Sequence, residues 1–100
     1  MNNDMDNMNN KAKRAFYNAL RRGKTSVYNT HSDDVNGLMA EMNEFAEASE
    51  CKESEHLTGY SEAQEELADI LICCMTELCK RGVDVDIIVD AKLAFNETRK

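Results

Sequence analysis

Apolar residues recur with helical spacing along most of the chain. One short stretch, 82–87, alternates apolar and polar residues, and it is too brief to build a sheet. The helical pattern predicts four α-helices, which we place at 9–22, 33–52, 61–81 and 84–98. We therefore expect an all-α fold, a small four-helix bundle-like domain. Because only 42% of the residues are hydrophobic and many of these are Ala, Met and Cys, we expect oligomerisation to complete the domain.

Capping signals agree with three of these helix starts. A run of cap-forming side chains at 32–34 can begin the second helix. Ser61 and Gln64 have the spacing of a capping box for the third helix, and Asp84 can cap the fourth after the break at Gly82. The chain contains no proline, so glycine is the main helix-breaking residue.

The second helix divides into three faces when successive residues are placed about 100° apart. We expect Glu47 and Glu50 to face water, whereas Glu41 and Glu44 lie on a separate arc among a glycine and an alanine. Small neighbours favour close approach by another element, although a solvated acidic face would give the same spacing. The remaining, apolar stripe is expected to face the core: Val35, Leu38, Met39, Met42, Phe45 and Ala46.

The third helix is apolar on nearly every side over 67–79, which predicts a central position. Glu66 and Asp69 lie at its start, three residues apart and thus on one face. A buried carboxylate without a partner is costly. For Asp69 we therefore expect either a salt bridge, to Lys92 or Arg99, or a bound divalent cation.

Two acidic pairs on successive antiparallel helices can face one another around a single space. Oxygen-rich clusters of this kind suit Mg²⁺, with Mn²⁺ as an alternative, and the absence of clustered histidine and cysteine disfavours zinc. The sequence thus predicts a metal site formed by four carboxylates: Glu41, Glu44, Glu66 and Asp69.

Composition restricts the class of protein. The chain has 100 residues, with 19 acidic and 12 basic side chains and a formal net charge of −7. This length supports one small domain, and the negative charge disfavours nucleic acid and anionic membranes as partners. The longest apolar run, 70–75, is much shorter than the roughly 20 residues that span a bilayer.

The ends of the domain and its location follow from local composition. The asparagine-rich residues 1–10 are expected to form a disordered tail, and 11–100 the folded domain. The four cysteines include an adjacent pair within an apolar run, so we expect reduced, mostly buried thiols in a cytoplasmic protein.

Aromatic groups near the basic first segment offer a possible nucleobase contact. These groups are Phe16, Tyr17, Tyr28 and His31. The simpler interpretation is that Phe16 and Tyr17 pack the first helix onto the rest of the domain.

The acidic pairs and the chain end carry a resemblance to a known family. The chain has E-x-x-E at 41–44, a spacer of twenty-one residues, and E-x-x-D at 66–69, and it closes with KLAFNETR. Over about 33–99 this order resembles the all-α nucleoside triphosphate pyrophosphohydrolases, the MazG-like family, whose closing segment reads K-x-x-x-N-x-x-R.

The resemblance implies Mg²⁺-dependent hydrolysis of a nucleoside triphosphate to the monophosphate and pyrophosphate. The four carboxylates would bind the metal, and which of them takes the proton of the attacking water stays open. Lys92, Asn96 and Arg99 share one face of the last helix and would bind substrate phosphates, although a solvated helix end would also show this spacing. Relatives of this size imply a homodimer or homotetramer.

The residue pattern also fits two other functions. Phosphoribosyl-ATP pyrophosphohydrolase is a related family of similar length, but its aromatic–histidine pair after the second acidic motif is replaced here by LICC at 71–74. A noncatalytic helical interaction module would use the basic first helix against a partner. A functional Mg²⁺ site discriminates between an enzyme and such a module.

Overall fold

A computed structural model describes residues 7–99, which contain four α-helices and no β-strand. The all-α prediction is therefore confirmed for this part of the chain. None of these helices combines the length and apolarity that crossing a membrane would require. The helices are α1, Met8–Arg21; α2, His31–Glu47; α3, Glu62–Lys80; and α4, Val85–Glu97.

Helix α1 begins earlier than predicted. Its N-cap is Asn7, whose side chain accepts a hydrogen bond of 2.7 Å from the backbone N–H of Asn10. Residues 8–10 are therefore helical, and their assignment to a disordered tail is wrong. Residues 1–6 of that predicted tail lie outside the described residues.

Helix α2 also starts earlier than predicted, because Thr30 is its N-cap. The Thr30 hydroxyl accepts from the backbone N–H of Asp33 at 3.1 Å, and the Asp33 carboxylate accepts from the backbone N–H of Thr30 at 2.9 Å. This is a reciprocal capping box. The cap predicted at 32–34 is therefore wrong, and Asp33 acts as the partner of the true cap.

Helix α2 ends at Glu47, five residues before the predicted end. Ala48 is already extended, with ψ of 149°. Just beyond it, the Ser49 hydroxyl accepts from the backbone N–H groups of Cys51 and Lys52 at 3.1 and 2.9 Å. This local serine turn offers the backbone an alternative to further helix.

The caps predicted for α3 and α4 are confirmed. The Ser61 hydroxyl accepts from the N–H of Gln64 at 3.1 Å, and the Gln64 side chain accepts from the N–H of Ser61 at 2.9 Å. Asp84 accepts from the N–H of Ile87 at 3.0 Å. Before it, Gly82 has a φ of 74°, a left-handed conformation that favours glycine at a helix end.

The described residues form two compact units, one comprising 7–26 and 75–99 and the other 27–74. The first unit contains a small core of Ala12, Met75 and Val85. Asn9 joins α1 to the start of α4 within this unit. Its side chain accepts from the N–H of Val85 at 2.7 Å and donates to the carboxylates of Asp84 and Asp86.

The second unit contains α2 and the first part of α3, and its apolar side chains are poorly covered. Helix α2 has no buried residue in the described chain, and Met39 and Met42 are each 53% exposed. On α3, Leu67 and Leu71 are about half exposed. The core-facing stripe predicted for α2 is therefore wrong for a single copy, and so is a central position for the first part of α3, because this unit has too little apolar surface to cover them. Farther along α3, Met75 and Thr76 are buried.

The cysteines are also less buried than predicted. Cys51 is exposed, and Cys73, Cys74 and Cys79 are half-buried. Within the described chain, the expectation of mostly buried thiols is wrong because α3, which carries three of them, is only partly covered at these positions.

Candidate functional site

The end of α2 and the start of α3 are joined by hydrogen bonds. The carbonyl of Ser49 accepts from the N–H of Ala63 at 3.0 Å, and the carbonyl of Lys52 accepts from the N–H of Glu62 at 2.9 Å. The Glu62 carboxylate accepts from the N–H of Ser49 at 3.1 Å and contacts the Lys52 ammonium at 3.5 Å. This junction fixes where the two acidic helices meet.

An acidic cavity of about 280 Å³ lies beside this junction. Ala48 and His56 form part of its wall. Glu47, which the helical pattern predicted to face water, is exposed and also lines the cavity. The cavity is otherwise lined by glutamates: Glu44, Glu47, Glu55, Glu62, Glu65 and Glu66. So many carboxylates around one space create a field that attracts cations and repels free anions.

Glu66 is the most perturbed acid of this cavity. Its Oε1 atom is buried and has no hydrogen-bond partner in the described part of the chain. Burial, the hydrogen bond to Asp69 and the negative charges of Asp69 and Glu44, in this order of importance, contribute to raising the pKa of Glu66 to about 7. Glu66 therefore needs either a proton or a cation at neutral pH.

The structure brings three of the four predicted carboxylates into electrostatic contact. Asp69 is hydrogen-bonded to Glu66 across one turn of α3, and the negative charge of Glu44 reaches Glu66 from α2. Glu41 lies one turn before Glu44 on α2 and is half-buried. The sequence predicted Asp69 as the carboxylate in need of a partner, whereas the atom without one belongs to Glu66.

These side chains have the chemistry of a site for a hard divalent cation. Carboxylate oxygens are the ligands that Mg²⁺ and Mn²⁺ prefer, and the buried Glu66 Oε1 supplies a donor atom that the protein itself does not satisfy. Across residues 7–99, no group of three or more His, Cys, Asp or Glu side chains is already arranged as a metal site. The candidate ligands are thus Glu66, Asp69 and Glu44, with Glu41 nearby on α2.

A second cluster on the cavity wall connects the loop after α2 to Glu65. The Ser54 hydroxyl donates to one carboxylate oxygen of Glu65, and the Nδ1 atom of His56 lies 2.9 Å from the other. These hydrogen bonds lower the pKa of Glu65, and Glu65 raises the pKa of His56. This cluster is not predictable from the sequence pattern, because contacts made by a loop leave no periodic signal.

The predicted phosphate-binding residues lie together at the end of α4, within the first unit. Lys92, Asn96 and Arg99 are all exposed. The Lys92 ammonium lies 4.8 Å from the centre of the Phe95 ring, and the Arg99 guanidinium lies 5.8 Å from it. Phe95 therefore holds two cations on one exposed surface. Arg99 follows the last helical residue, Glu97.

The aromatic residues near the basic segment are mostly exposed. Tyr17 is 77% exposed and Tyr28 is 90% exposed, while Phe16 is half-buried. Packing of Tyr17 in a core, the simpler of the two interpretations, is therefore wrong for the single chain. A nucleobase contact through these residues stays a prediction.

Comparison of the chain with protein-family models, with curated proteins and with solved structures found no match. Membership of the MazG-like family therefore stays a prediction that rests on the E-x-x-E and E-x-x-D motifs and their spacing.

Proposed function

We propose that the protein is a Mg²⁺-dependent nucleoside triphosphate pyrophosphohydrolase that converts an NTP or dNTP to the monophosphate and pyrophosphate. The observation that carries this proposal is the buried, unpartnered oxygen of Glu66 in an acidic cavity, beside the carboxylate of Asp69. An acid in this environment favours a bound cation, and a cation in an acidic cavity favours a polyanionic ligand.

In this proposal the four motif carboxylates form the metal site. Glu66 and Asp69 on α3, with Glu41 and Glu44 on α2, would hold Mg²⁺, and Mn²⁺ would fit the same oxygen donors. When bound, the ion neutralises phosphate oxygens and makes water in the site more acidic. One of the four carboxylates would accept the proton of the water that attacks the α–β linkage instead of binding the ion, and Glu44, which is exposed at the cavity wall, is suited to this task.

The substrate's remaining charge requires cationic groups. Lys92 and Arg99, with the amide of Asn96, would contact phosphate oxygens from α4. Their grouping around Phe95 supports this assignment because both cations are exposed and share one face with the amide. A nucleotide substrate also favours a cytoplasmic location.

The enzyme is proposed to work as a homodimer or homotetramer. Support comes from the apolar side chains that a single copy leaves about half exposed: Met39, Met42, Leu67 and Leu71. Covering such side chains contributes about 25 cal/mol for each Å² of apolar surface removed from water. A second copy would thereby complete the helical domain.

Pyrophosphate release in the presence of Mg²⁺ tests the activity. The purified chain would be incubated with standard, deoxy and modified triphosphates and with phosphoribosyl-ATP, and both products would be identified by chromatography. We expect pyrophosphate and a monophosphate from at least one nucleoside triphosphate. Preference for phosphoribosyl-ATP would instead favour the related histidine-pathway activity.

Matched variants connect the activity to the site. Asp69→Asn should abolish turnover while leaving the helical circular dichroism unchanged, and Glu50→Gln, which removes an exposed acid outside the cavity, should keep it. If no substrate released pyrophosphate and the melting temperature were the same in EDTA and in Mg²⁺, the proposed enzymatic activity would be contradicted. A noncatalytic interaction module would then be favoured.

A further inference from the structure

His56 differs in charge type from the other polar residues of the acidic cavity. It is the one lining residue that can carry a positive charge, and its side chain is 77% exposed. The opposing charges come from the six glutamates of the wall and, through space, from Asp69. A cationic group placed here would be available to a ligand inside the cavity.

The ring of His56 is held in one orientation by the loop beneath it. Ser54 is buried, and its hydroxyl oxygen accepts from the backbone N–H groups of His56 and Leu57 at 3.0 Å each. The same hydroxyl donates to Glu65, whose second oxygen is bonded to His56 Nδ1. Glu65 is therefore fixed from two sides and in turn fixes the imidazole.

This arrangement leaves one nitrogen of the ring for a ligand. In the described chain, Nδ1 is the ring nitrogen with a protein partner. An N–H donated from Nδ1 to a carboxylate defines the ring's orientation and leaves Nε2 at its far edge. The hydrogen bond to Glu65 is the main cause that raises the pKa of His56, so the charged ring, in which Nε2 also carries an N–H, is more populated than in a free histidine.

We propose that His56 is a phosphate-binding residue of this cavity, in which Nε2 donates a hydrogen bond to a phosphate oxygen of the substrate while Glu65 and Ser54 hold Nδ1. The inference rests on the proposed function for the identity of the substrate. Metal ions would neutralise the phosphate oxygens that they contact, but a triphosphate has further oxygens that the metal does not contact. His56 supplies a charge-assisted donor for one of the others.

Binding of inorganic pyrophosphate in the presence of Mg²⁺ tests the proposal without requiring turnover. The central variant is His56→Asn, because an asparagine amide can still donate to Glu65 from near the position of Nδ1 but has no group near Nε2. The control is Lys13→Asn, which removes a positive charge from an exposed position of α1 that does not line the cavity. Isothermal titration calorimetry would give Kd for the wild type and both variants.

We expect His56→Asn to raise Kd for pyrophosphate about tenfold, the effect of one charge-assisted hydrogen bond, and Lys13→Asn to change it by less than about twofold. Equal Kd values for His56→Asn and the wild type would overturn the proposal, and so would an equal loss in both variants, which would indicate a general charge effect. Failure of the wild type to bind pyrophosphate would overturn it as well.

The same samples separate this inference from the proposed function. Binding that depends on His56, without pyrophosphate release from any triphosphate, would support the phosphate contact and contradict the hydrolase. Release of pyrophosphate with unaltered binding and KM in His56→Asn would support the hydrolase and contradict the role of His56.

Discussion

The carboxyl groups of Glu66 and Asp69 share a hydrogen bond across one turn of α3, beside a cavity wall made largely of glutamates. In a folded chain without metal, this bond requires a proton. The pKa of Glu66 is about 7, against a reference value of 4.5, so the pair holds that proton up to neutral pH. When a cation replaces this proton, the Glu66 and Asp69 oxygens that shared it both become available to bind the cation.

Replacing Glu66 by glutamine should stabilise the metal-free protein at alkaline pH. The native state holds a proton that the unfolded state has released between pH 4.5 and about 7, so wild-type stability falls as pH rises through this range and is then constant. Glutamine cannot ionise, so the variant should lack this fall in stability, which we expect to be about 1–3 kcal/mol once solvent screening of the partly exposed group reduces it. Urea unfolding at pH 5 and pH 8 in EDTA measures the difference.

Magnesium should reverse the order of stability of the wild type and Glu66→Gln. We expect Mg²⁺ to raise the melting temperature of the wild type at pH 8 and to leave that of Glu66→Gln nearly unchanged, because the ion stabilises only the form that binds it. Glu50→Gln serves as the matched control and should respond as the wild type does. An equal response of Glu66→Gln and the wild type would contradict a role of Glu66 in metal binding.

The titration of His56 should depend on Glu65. Glu65 accepts a hydrogen bond from the ring and contributes its charge, so the pKa of His56 lies above 6.5. The pair therefore stabilises its loop fully below pH 6.5, and this contribution is lost as pH rises through the raised pKa of His56. At the acidic end, it is lost as pH falls through the lowered pKa of Glu65.

Nuclear magnetic resonance of the histidine ring measures this coupling in metal-free protein. We expect Glu65→Gln to move the pKa of His56 down toward 6.5, because it removes the charge while retaining an amide oxygen that can accept the Nδ1 hydrogen bond. Glu53→Gln is the control, because Glu53 lies on the same loop but accepts its hydrogen bond from the N–H of Gly59 and not from His56. An unchanged pKa of His56 in Glu65→Gln would show that the contact is not maintained in solution.

Lys92→Met should weaken substrate binding more than it slows turnover. The ammonium group is exposed beside Phe95, and methionine retains a similar side-chain length without the charge. We expect KM for the best triphosphate to rise about tenfold with kcat changed by less than about threefold. Lys13→Met, on an exposed position of α1, is the control, and an equal change in both variants would contradict a specific phosphate contact.

Met42→Lys should separate the copies of an oligomer. Met42 is 53% exposed on the apolar stripe of α2, and a charge there would be buried at an interface between copies. Size-exclusion chromatography with light scattering should give a multiple of 11.3 kDa for the wild type and a shift toward 11.3 kDa for the variant. Asn36→Lys on the same helix should not dissociate the protein, and a wild type of 11.3 kDa would refute the assembly.

Local sequence signals predicted the helices well. The caps at Ser61 and Asp84 were predictable because a short side chain bonds to a backbone N–H only two or three residues away. The boundaries of α2 were less predictable, since Thr30 competed with several cap-forming neighbours and the Ser49 turn ended the helix early. Such competition is decided by small energy differences that a residue pattern does not contain.

The acidic motif was predictable, whereas the environment of each acid was not. Helical spacing placed Glu66 and Asp69 on one face of α3, but it could not show which oxygen would be buried without a partner. The positions of Ser54 and His56 depend on contacts between a loop and a helix, which no periodicity records. Burial of the α2 stripe was overestimated because amphipathic spacing does not distinguish an intramolecular core from an interface between copies.

The hydrogen bonds that join the ends of the loop after α2 have a consequence for how this protein can diversify. Ser54 N–H donates to the carbonyl of Tyr60 at 2.8 Å, and a single antiparallel bridge links Glu53 to Ser61, so the loop is closed at its base. Residues inserted near Thr58 would lengthen only the tip, at an entropic cost of about 0.6 kcal/mol for each doubling of loop length. Substrate preference could therefore change through insertions there, which lengthen the spacer between the two motifs, while the distances between the motif carboxylates in the fold stayed the same.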